Sequence, residues 1–271
     1  MKILVTGGTG LVGARLLPRL RDTGHDCRAL VRPGRQLPPG ITPVEGDLLQ
    51  PDRLPDALHD VDAVVHLAAL FRTDDVEGIR AVNLDGTRNL IAATKAAAPD
   101  ARVVMASTSL VYGTTGTRPA REDDPLEATD AYPASKIAAE AELRASGLTW
   151  SILRLGFVYG DGDGHVDAVP GLIPRMGWHP ARVLAVVHHR DVAQMVELSL
   201  TGVADGRIVN VVADASATIG ELAGIAGSEI PASDEPLEHP WSGHVDASTA
   251  RALGFRATVP TVYDAQRDGI L

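Results

Sequence analysis

Tyr132 and Lys136 stand four residues apart in Tyr132-Pro133-Ala134-Ser135-Lys136, a spacing that puts a phenol and an ammonium on one helical face. A free tyrosine titrates near pH 10, too high for proton transfer at neutrality. A neighbouring cation and a helix N-terminus both favour the phenolate, so the pair predicts a lowered tyrosine acting as acid and base. Pro133 fits the first turn of such a helix, where a missing N–H is harmless. The chain has 4 tyrosines, and Lys2, Lys95 and Lys136 are its only lysines, so this spacing is expected by chance about 0.04 times. The plain alternative is a helical Tyr–Lys contact without chemistry.

Two other clusters could serve the same reaction. Ser107, Thr108 and Ser109 close an apolar run, at the strand end where open α/β sheets bind ligands. One of these hydroxyls could hold a substrate oxygen beside Tyr132. At the start of the chain, Thr6-Gly7-Gly8-Thr9-Gly10-Leu11-Val12-Gly13 spaces glycines at 7, 10 and 13 between an apolar run and a helical pattern. Such a turn lets backbone approach a pyrophosphate, with helix amides supplying positive potential. Further on, Val31 is followed by Arg32 and, past a Pro-Gly turn, Arg35, with no acid. An arginine fork there suits the 2′-phosphate of NADP over the ribose hydroxyl of NAD, although a solvated surface arginine has the same signature. Asp47 could accept from an adenine amino group or cap a helix. His66 reads as a packed core histidine. His188 and His189 lack the acid or cysteine that would complete a metal site, so no metal is expected.

Positioning these groups requires a parallel sheet with crossover helices. Apolar runs at 2–6, 26–31, 42–45, 63–67, 102–107 and 149–155 alternate with helical patterns at 11–23, 52–59, 76–97 and 133–146. Beyond Leu155 the sequence loosens into Gly/Pro-rich chain from 160 to 180 before a strand at 183–187 and a helix at 191–200. The expected fold is α/β: a doubly wound parallel Rossmann sheet with a small C-terminal α+β lobe. Residues 1–155 and 182–201 are assigned to the sheet domain, and 156–181 and 202–271 to the lobe that shapes the substrate pocket. With 271 residues, 45% hydrophobic and 22% charged, the chain can bury a sizeable core. A formal net charge of −10 argues against nucleic acid and anionic membranes as partners. The single cysteine, Cys27, forbids an internal disulfide, and no run is long and apolar enough to span a bilayer. The expected location is the cytoplasm.

Together these pieces resemble the extended short-chain dehydrogenase/reductases, also described as the NAD-dependent epimerase/dehydratase family. The resemblance rests on 6–13, Asp47-Leu48, His66-Leu67-Ala68-Ala69, 83–90, 107–113, 132–136, 154–160, 187–193 and Leu253-Gly254-Phe255. It implies that Thr108 is the catalytic hydroxyl, with Ser107 or Ser109 as stand-ins, and that Tyr132 is the acid/base. Lys136 would bind the nicotinamide ribose and tune Tyr132. Gly7, Gly10, Leu11, Val12, Gly13, Leu48, Leu67, Ala68, Ala69, Asn83 and Gly156 would border the dinucleotide. Sugar-nucleotide members usually carry Asn where this chain has Phe157, and the lobe is compact and acidic. Both features weaken the epimerase and dehydratase readings, and the Val31-Arg32 ending of the second strand with the apolar Phe157 looks more like the ketone-reducing branch that includes dihydroflavonol reductase. The expected activity is NADPH-dependent interconversion of a ketone and a secondary alcohol, with Phe71, Ser109 and Phe157 near the substrate. A sugar-nucleotide epimerase or dehydratase using NAD is the alternative, and a non-catalytic NADP sensor a third reading. Family members commonly pair through helices corresponding to 82–97 and 133–146, whose alanines permit close packing, so a homodimer is expected.

Overall fold

The computed structural model describes residues 1–128 and 130–271. In chain order, the first half consists of β1 (Lys2–Thr6), α1 (Leu11–Asp22), β2 (Asp26–Val31), β3 (Thr42–Glu45), α2 (Leu54–Leu58), β4 (Ala63–His66), α3 (Val76–Arg80), α4 (Gly86–Ala97) and β5 (Arg102–Thr108). Then follow α5 (Ala131–Arg144), β6 (Thr149–Leu155), β7 (Phe157–Tyr159), α6 (His165–Met176), β8 (Val183–Leu184), β9 (Val186–His188) and α7 (His189–Leu200). The tail contributes β10 (Arg207–Val211), β11 (Ala217–Thr218), α8 (Ile219–Ile225), α9 (Ser248–Ala252) and α10 (Val262–Arg267).

Seven strands pair in the order β10-β6-β5-β4-β1-β2-β3, and every pairing is parallel. The central strands are continuous runs of Val, Ile and Leu because helices cover both faces. On one face Ile3, Val5, Val104 and Leu153 pack with Leu16 and Leu20 of α1 and Val192 and Val196 of α7. On the other, Leu4, Val64, Val103 and Met105 pack with Leu90 of α4 and Ala139 and Leu143 of α5. The strand order reverses between β1 and β4, which opens a crevice at their C-terminal ends. The β1–α1 glycine turn stands at that point.

The tail departs from the division expected at residue 202. β10 adds to β6 as the seventh strand, and Val209, Val211, Ala250 and Phe255 bury in the same cluster as β1. Its short apolar run has a parallel edge to complete, a fact that residue composition does not carry. The lobe has its own core, in which Tyr159, Val166 and Val169 meet Ile219, Leu222, Val259 and Val262.

Three local expectations also change. The helix expected over 76–97 is broken by a π turn at Ala81–Asp85, where Asn83 and Leu84 are buried. The Gly/Pro-rich stretch holds α6 despite Pro170 and Pro174, ending at Gly177 in the left-handed region. The strand expected over 183–187 splits at Ala185. Ala185 donates to the Gly243 carbonyl and accepts from Phe157, so β8 and β9 belong to different two-stranded sheets.

Candidate active site

The glycine turn is shaped by contact as well as by conformation. Gly7 has φ 74°, and a Cβ there would stand 2.6 Å from the Ala68 nitrogen. A Cβ on Gly13 would come within 2.3 Å of the Gly7 carbonyl oxygen. The first and third glycines are therefore needed for the turn to nest between β4 and α1, whatever it binds. α1 begins after Gly10 with no side-chain cap and no acid in its first turn. Its leading amides are free of side-chain partners, which suits a pyrophosphate. Leu11 is exposed, Val12 half-buried and Gly13 buried along this turn.

Around the cradle, Arg32 follows β2 and is exposed, with no ion-pair partner among the described residues. Asp47 accepts from the Leu49 amide at 2.9 Å and so caps a turn, its second oxygen without a hydrogen-bond partner among the described residues. Leu48 buries its side chain in the core and offers its carbonyl to the Asn89 amide at 2.8 Å. Leu67 and Ala68 are half-buried and Ala69 exposed, at the end of β4. Gly156 is required by packing, since a Cβ would lie 2.4 Å from the Ala185 oxygen.

A buried hydrogen-bond chain joins this turn to the helix that carries Tyr132 and Lys136. The Ala68 amide donates to Thr6 Oγ1 (3.3 Å), which lies 2.7 Å from His66 Nδ1. His66 Nε2 is 2.9 Å from Thr87 Oγ1, and that hydroxyl donates its one proton to the Asn83 carbonyl at 2.6 Å. The network thus assigns the proton of His66 to Nε2. Burial and the charge of Lys136 hold His66 down to about 3, so the ring is neutral. The Asn83 amide clamps both backbone groups of Leu70 (2.7 and 3.0 Å) and donates to Ser135 Oγ at 3.0 Å. Ser135 in turn donates to the Tyr132 carbonyl at 2.7 Å. The Asn83 side chain is thereby committed to positioning the 70–72 loop and α5, while the resemblance implies only nearness to the cofactor.

α5 carries Tyr132 and Lys136 on one face, and it packs against the Ser109–Val111 turn that follows Thr108. Thr108 is buried and accepts from the Leu110 amide at 3.2 Å, which leaves its hydroxyl proton free to donate. Tyr132 is half-buried beneath Phe71, the ring centroids 4.2 Å apart. The lowered phenol expected from the sequence is corrected here: burial pushes Tyr132 up to about 12. Lys136 is 2% exposed, and burial lowers it to about 8 against the upward pull of Glu140 one turn on. Desolvation is the one cause acting on Tyr132, and the lowering by Lys136 that the spacing predicts does not act on it.

Ser107 does not stand ready as a substitute hydroxyl. It donates to Glu140 Oε1, within a buried network on the opposite side of the strand from Thr108. Arg154, 1% exposed, grips Glu140 with two bonds of 3.1 and 2.7 Å and donates to the Tyr112 hydroxyl at 2.9 Å. Tyr112 continues to Asn210 at 2.6 Å. This network ties β5, β6 and β10 to α5. The pattern of single residues in the sequence gave no sign of it, because its members are far apart in the chain.

On the lobe side, Phe157 in β7 stacks on His165 at 5.3 Å. His189 Nε2 lies 2.8 Å from Asp163 Oδ2, and His188 Nε2 donates to the Ile270 carbonyl at 2.9 Å. The two histidines thus serve different partners. Among the described residues no group of three or more His, Cys, Asp or Glu side chains is placed to hold a metal ion. Nor is any helix long and apolar enough to cross a membrane.

Known proteins are similar to this chain in sequence and in fold. The NAD dependent epimerase/dehydratase family matches residues 3–211. A 3 beta-hydroxysteroid dehydrogenase/Delta 5-->4-isomerase of Mycobacterium tuberculosis is 33% identical over 180 residues, covering 60% of this chain and 48% of that protein. A 3-diazoavenalumate denitrifying reductase of Streptomyces is 34% identical over 179 residues, covering 61% and 59%. The chain spans about half the length of the first of these relatives. Among solved structures, the Thermus thermophilus UDP-glucose 4-epimerase complex with NAD superposes with a TM-score of 0.80 at 26% identity, over 98% of this chain and 97% of that one.

Proposed function

Because the chain belongs to the NAD dependent epimerase/dehydratase family, we propose that it is an NADPH-dependent reductase interconverting a ketone and a secondary alcohol on a small organic substrate. The observation that carries this reading is α5, which presents Tyr132 and Lys136 together against the turn after Thr108. The turn at Gly7–Gly13 fits a dinucleotide because α1 starts there with no side-chain cap and no acid in its first turn, so its N-terminus faces an anion unopposed. When bound there, the nicotinamide supplies or accepts the hydride.

The chain's own residues perform the rest. Tyr132, protonated at neutral pH with its value at about 12, holds the proton that a reduced carbonyl oxygen must receive. Thr108 donates its free hydroxyl proton to the same oxygen and keeps it within reach of the phenol. Lys136, still charged at neutral pH, supplies an ammonium to the ribose and to the developing phenolate. Phe71 covers the phenol ring and excludes water from one side.

Preference for NADP rests on the exposed, unpartnered Arg32 and the absence of an acid at the end of β2. Replacing Arg32 by Asp is expected to weaken NADPH by about 10- to 150-fold while changing NADH little, the loss of one charge-assisted contact. Calorimetric titration of both cofactors checks this, and equal affinities in the parent protein refute the preference. Loss of NADPH absorbance across a panel of ketones tests the reaction itself.

The likeness to a UDP-glucose 4-epimerase over 98% of the chain favours a second reading, a sugar-nucleotide epimerase. The two separate on purification. An epimerase regenerates its cofactor in every cycle and retains it, whereas a reductase exchanges it.

A further inference from the structure

Phe71 and Arg72 extend from a fixed stub, because the buried Asn83 amide holds both backbone groups of Leu70. The Phe71 ring meets Tyr132 at 4.2 Å, and the Arg72 guanidinium lies 5.5 Å from the Phe71 centroid. Arg72 adopts φ 59°, a left-handed conformation that a residue bearing a Cβ keeps only where its surroundings impose it. In a chain with 35 acidic against 25 basic residues, Arg72 has no carboxylate within ion-pair distance among the described residues.

Neither Asp163 nor Asp74 forms an ion pair with Arg72. Asp163, whose field reaches it, accepts from His189 Nε2 and from the His165 amide, each at 2.8 Å. Asp74, two residues on, pairs with Arg175 of α6 at 3.7 Å. Burial meanwhile holds the guanidinium below its ordinary value. Arg72 is still solvent-exposed, so its guanidinium, beside an aromatic face and next to the proposed proton donor, is open to an anion that the protein does not provide.

We propose that Arg72, with Phe71 as its platform, determines specificity by binding a carboxylate or phosphate monoester on the carbonyl substrate. The substrate's apolar ring would pack on Phe71 beside Tyr132. This inference rests on the carbonyl-reducing reading above. The planar guanidinium matches either anion with paired hydrogen bonds. Because Tyr132 and Arg72 both contact Phe71, one small aromatic substrate is expected to reach the phenol with its carbonyl and the guanidinium with its anion.

The test uses 4-acetylbenzoate, its methyl ester and 4-acetylphenyl phosphate, titrated calorimetrically into the protein with and without NADPH. At least one anion is expected to bind about 10- to 150-fold more tightly than the ester. The order of the two anions identifies the source of the charge. The preference is expected to vanish in Arg72→Met and to return in part in Arg72→Lys, which restores the charge without the fork. An ester that binds as tightly as both anions, a preference that survives Arg72→Met, or no binding of any probe overturns the proposal. Arg72-dependent binding of the anions without any oxidation of NADPH would leave the role of Arg72 standing and refute carbonyl reduction instead.

Discussion

Burial decides the protonation of the candidate catalytic residues. Tyr132 is held at about 12 and therefore carries its proton at neutral pH. Tyr132→Phe keeps the ring against Phe71 and removes that proton, so turnover is expected to fall about 10²- to 10⁴-fold while cofactor affinity holds. Steady-state rates and a cofactor titration on the same variant check this. Thr108→Ala is expected to retain more activity, with Ser109 the remaining hydroxyl, since Ser107 is bound to Glu140. For Lys136 the folded value of about 8 lies below the ordinary 10.5. The ammonium is present below pH 8 and lost above it, so NADPH affinity of the free protein is expected to fall as pH rises through about 8. Lys136→Met should flatten that profile. The same shift acts on stability. Between about 8 and 10.5 the unfolded chain binds the proton that the folded chain has shed, so this residue makes the fold more stable as pH rises across that window.

At the scale of elements, α5 is fixed from two sides. The Asn83 amide reaches it through Ser135, and the Arg154–Glu140 pair anchors its second half to β6. Both partners of that ion pair are almost fully buried, at 1% and 3% side-chain exposure. Glu140→Ala would leave the buried guanidinium charged without its carboxylate, with the neutral Tyr112 hydroxyl and Glu122 carbonyl as its partners, at a cost of about 3–5 kcal/mol. Urea unfolding should show this as a lower midpoint with an unchanged slope. A loss below about 1 kcal/mol would mean that water or a neighbour takes over the charge. The π turn at Ala81–Asp85 belongs to the same design. It buries Asn83, placing the amide where it can clamp Leu70, and the apolar periodicity of 76–97 reads straight through it.

For the whole molecule, the expected homodimer places α4 and α5 against their counterparts. Ala92, Ala96 and Ala97 on α4 and Ala134 and Ala141 on α5 are exposed, while Ala93 and Ala139 pack on the sheet. The exposed set offers a surface on which backbones approach closely. Light scattering at micromolar concentration is expected to give twice the 28.5 kDa chain mass. Replacing Ala92 and Ala96 by Glu should halve that mass, and a monomer in the parent protein refutes the pairing.

The strands and the glycine turn were legible in the sequence because their signals are local. β1, β2, β3 and β6 begin and end where the sequence predicts; the central strands read as apolar because helices cover both faces, while β3 is an exposed edge marked by its turn residues. The Tyr132–Lys136 spacing needed only helical geometry to put both on one face. What the sequence could not supply was environment. Tyr132 was expected to be lowered by its lysine, yet burial beneath Phe71 moves it the other way, because desolvation depends on atoms brought from distant parts of the chain. The same holds for β10, whose five residues join the main sheet only because β6 leaves a parallel edge open. The His66–Thr87–Asn83 chain and the Arg154–Glu140–Tyr112 network likewise exist only once the strands are stacked in order. Period and composition are properties of neighbours in sequence. Proton affinity and pairing are properties of neighbours in space, and only the tertiary structure brings those together.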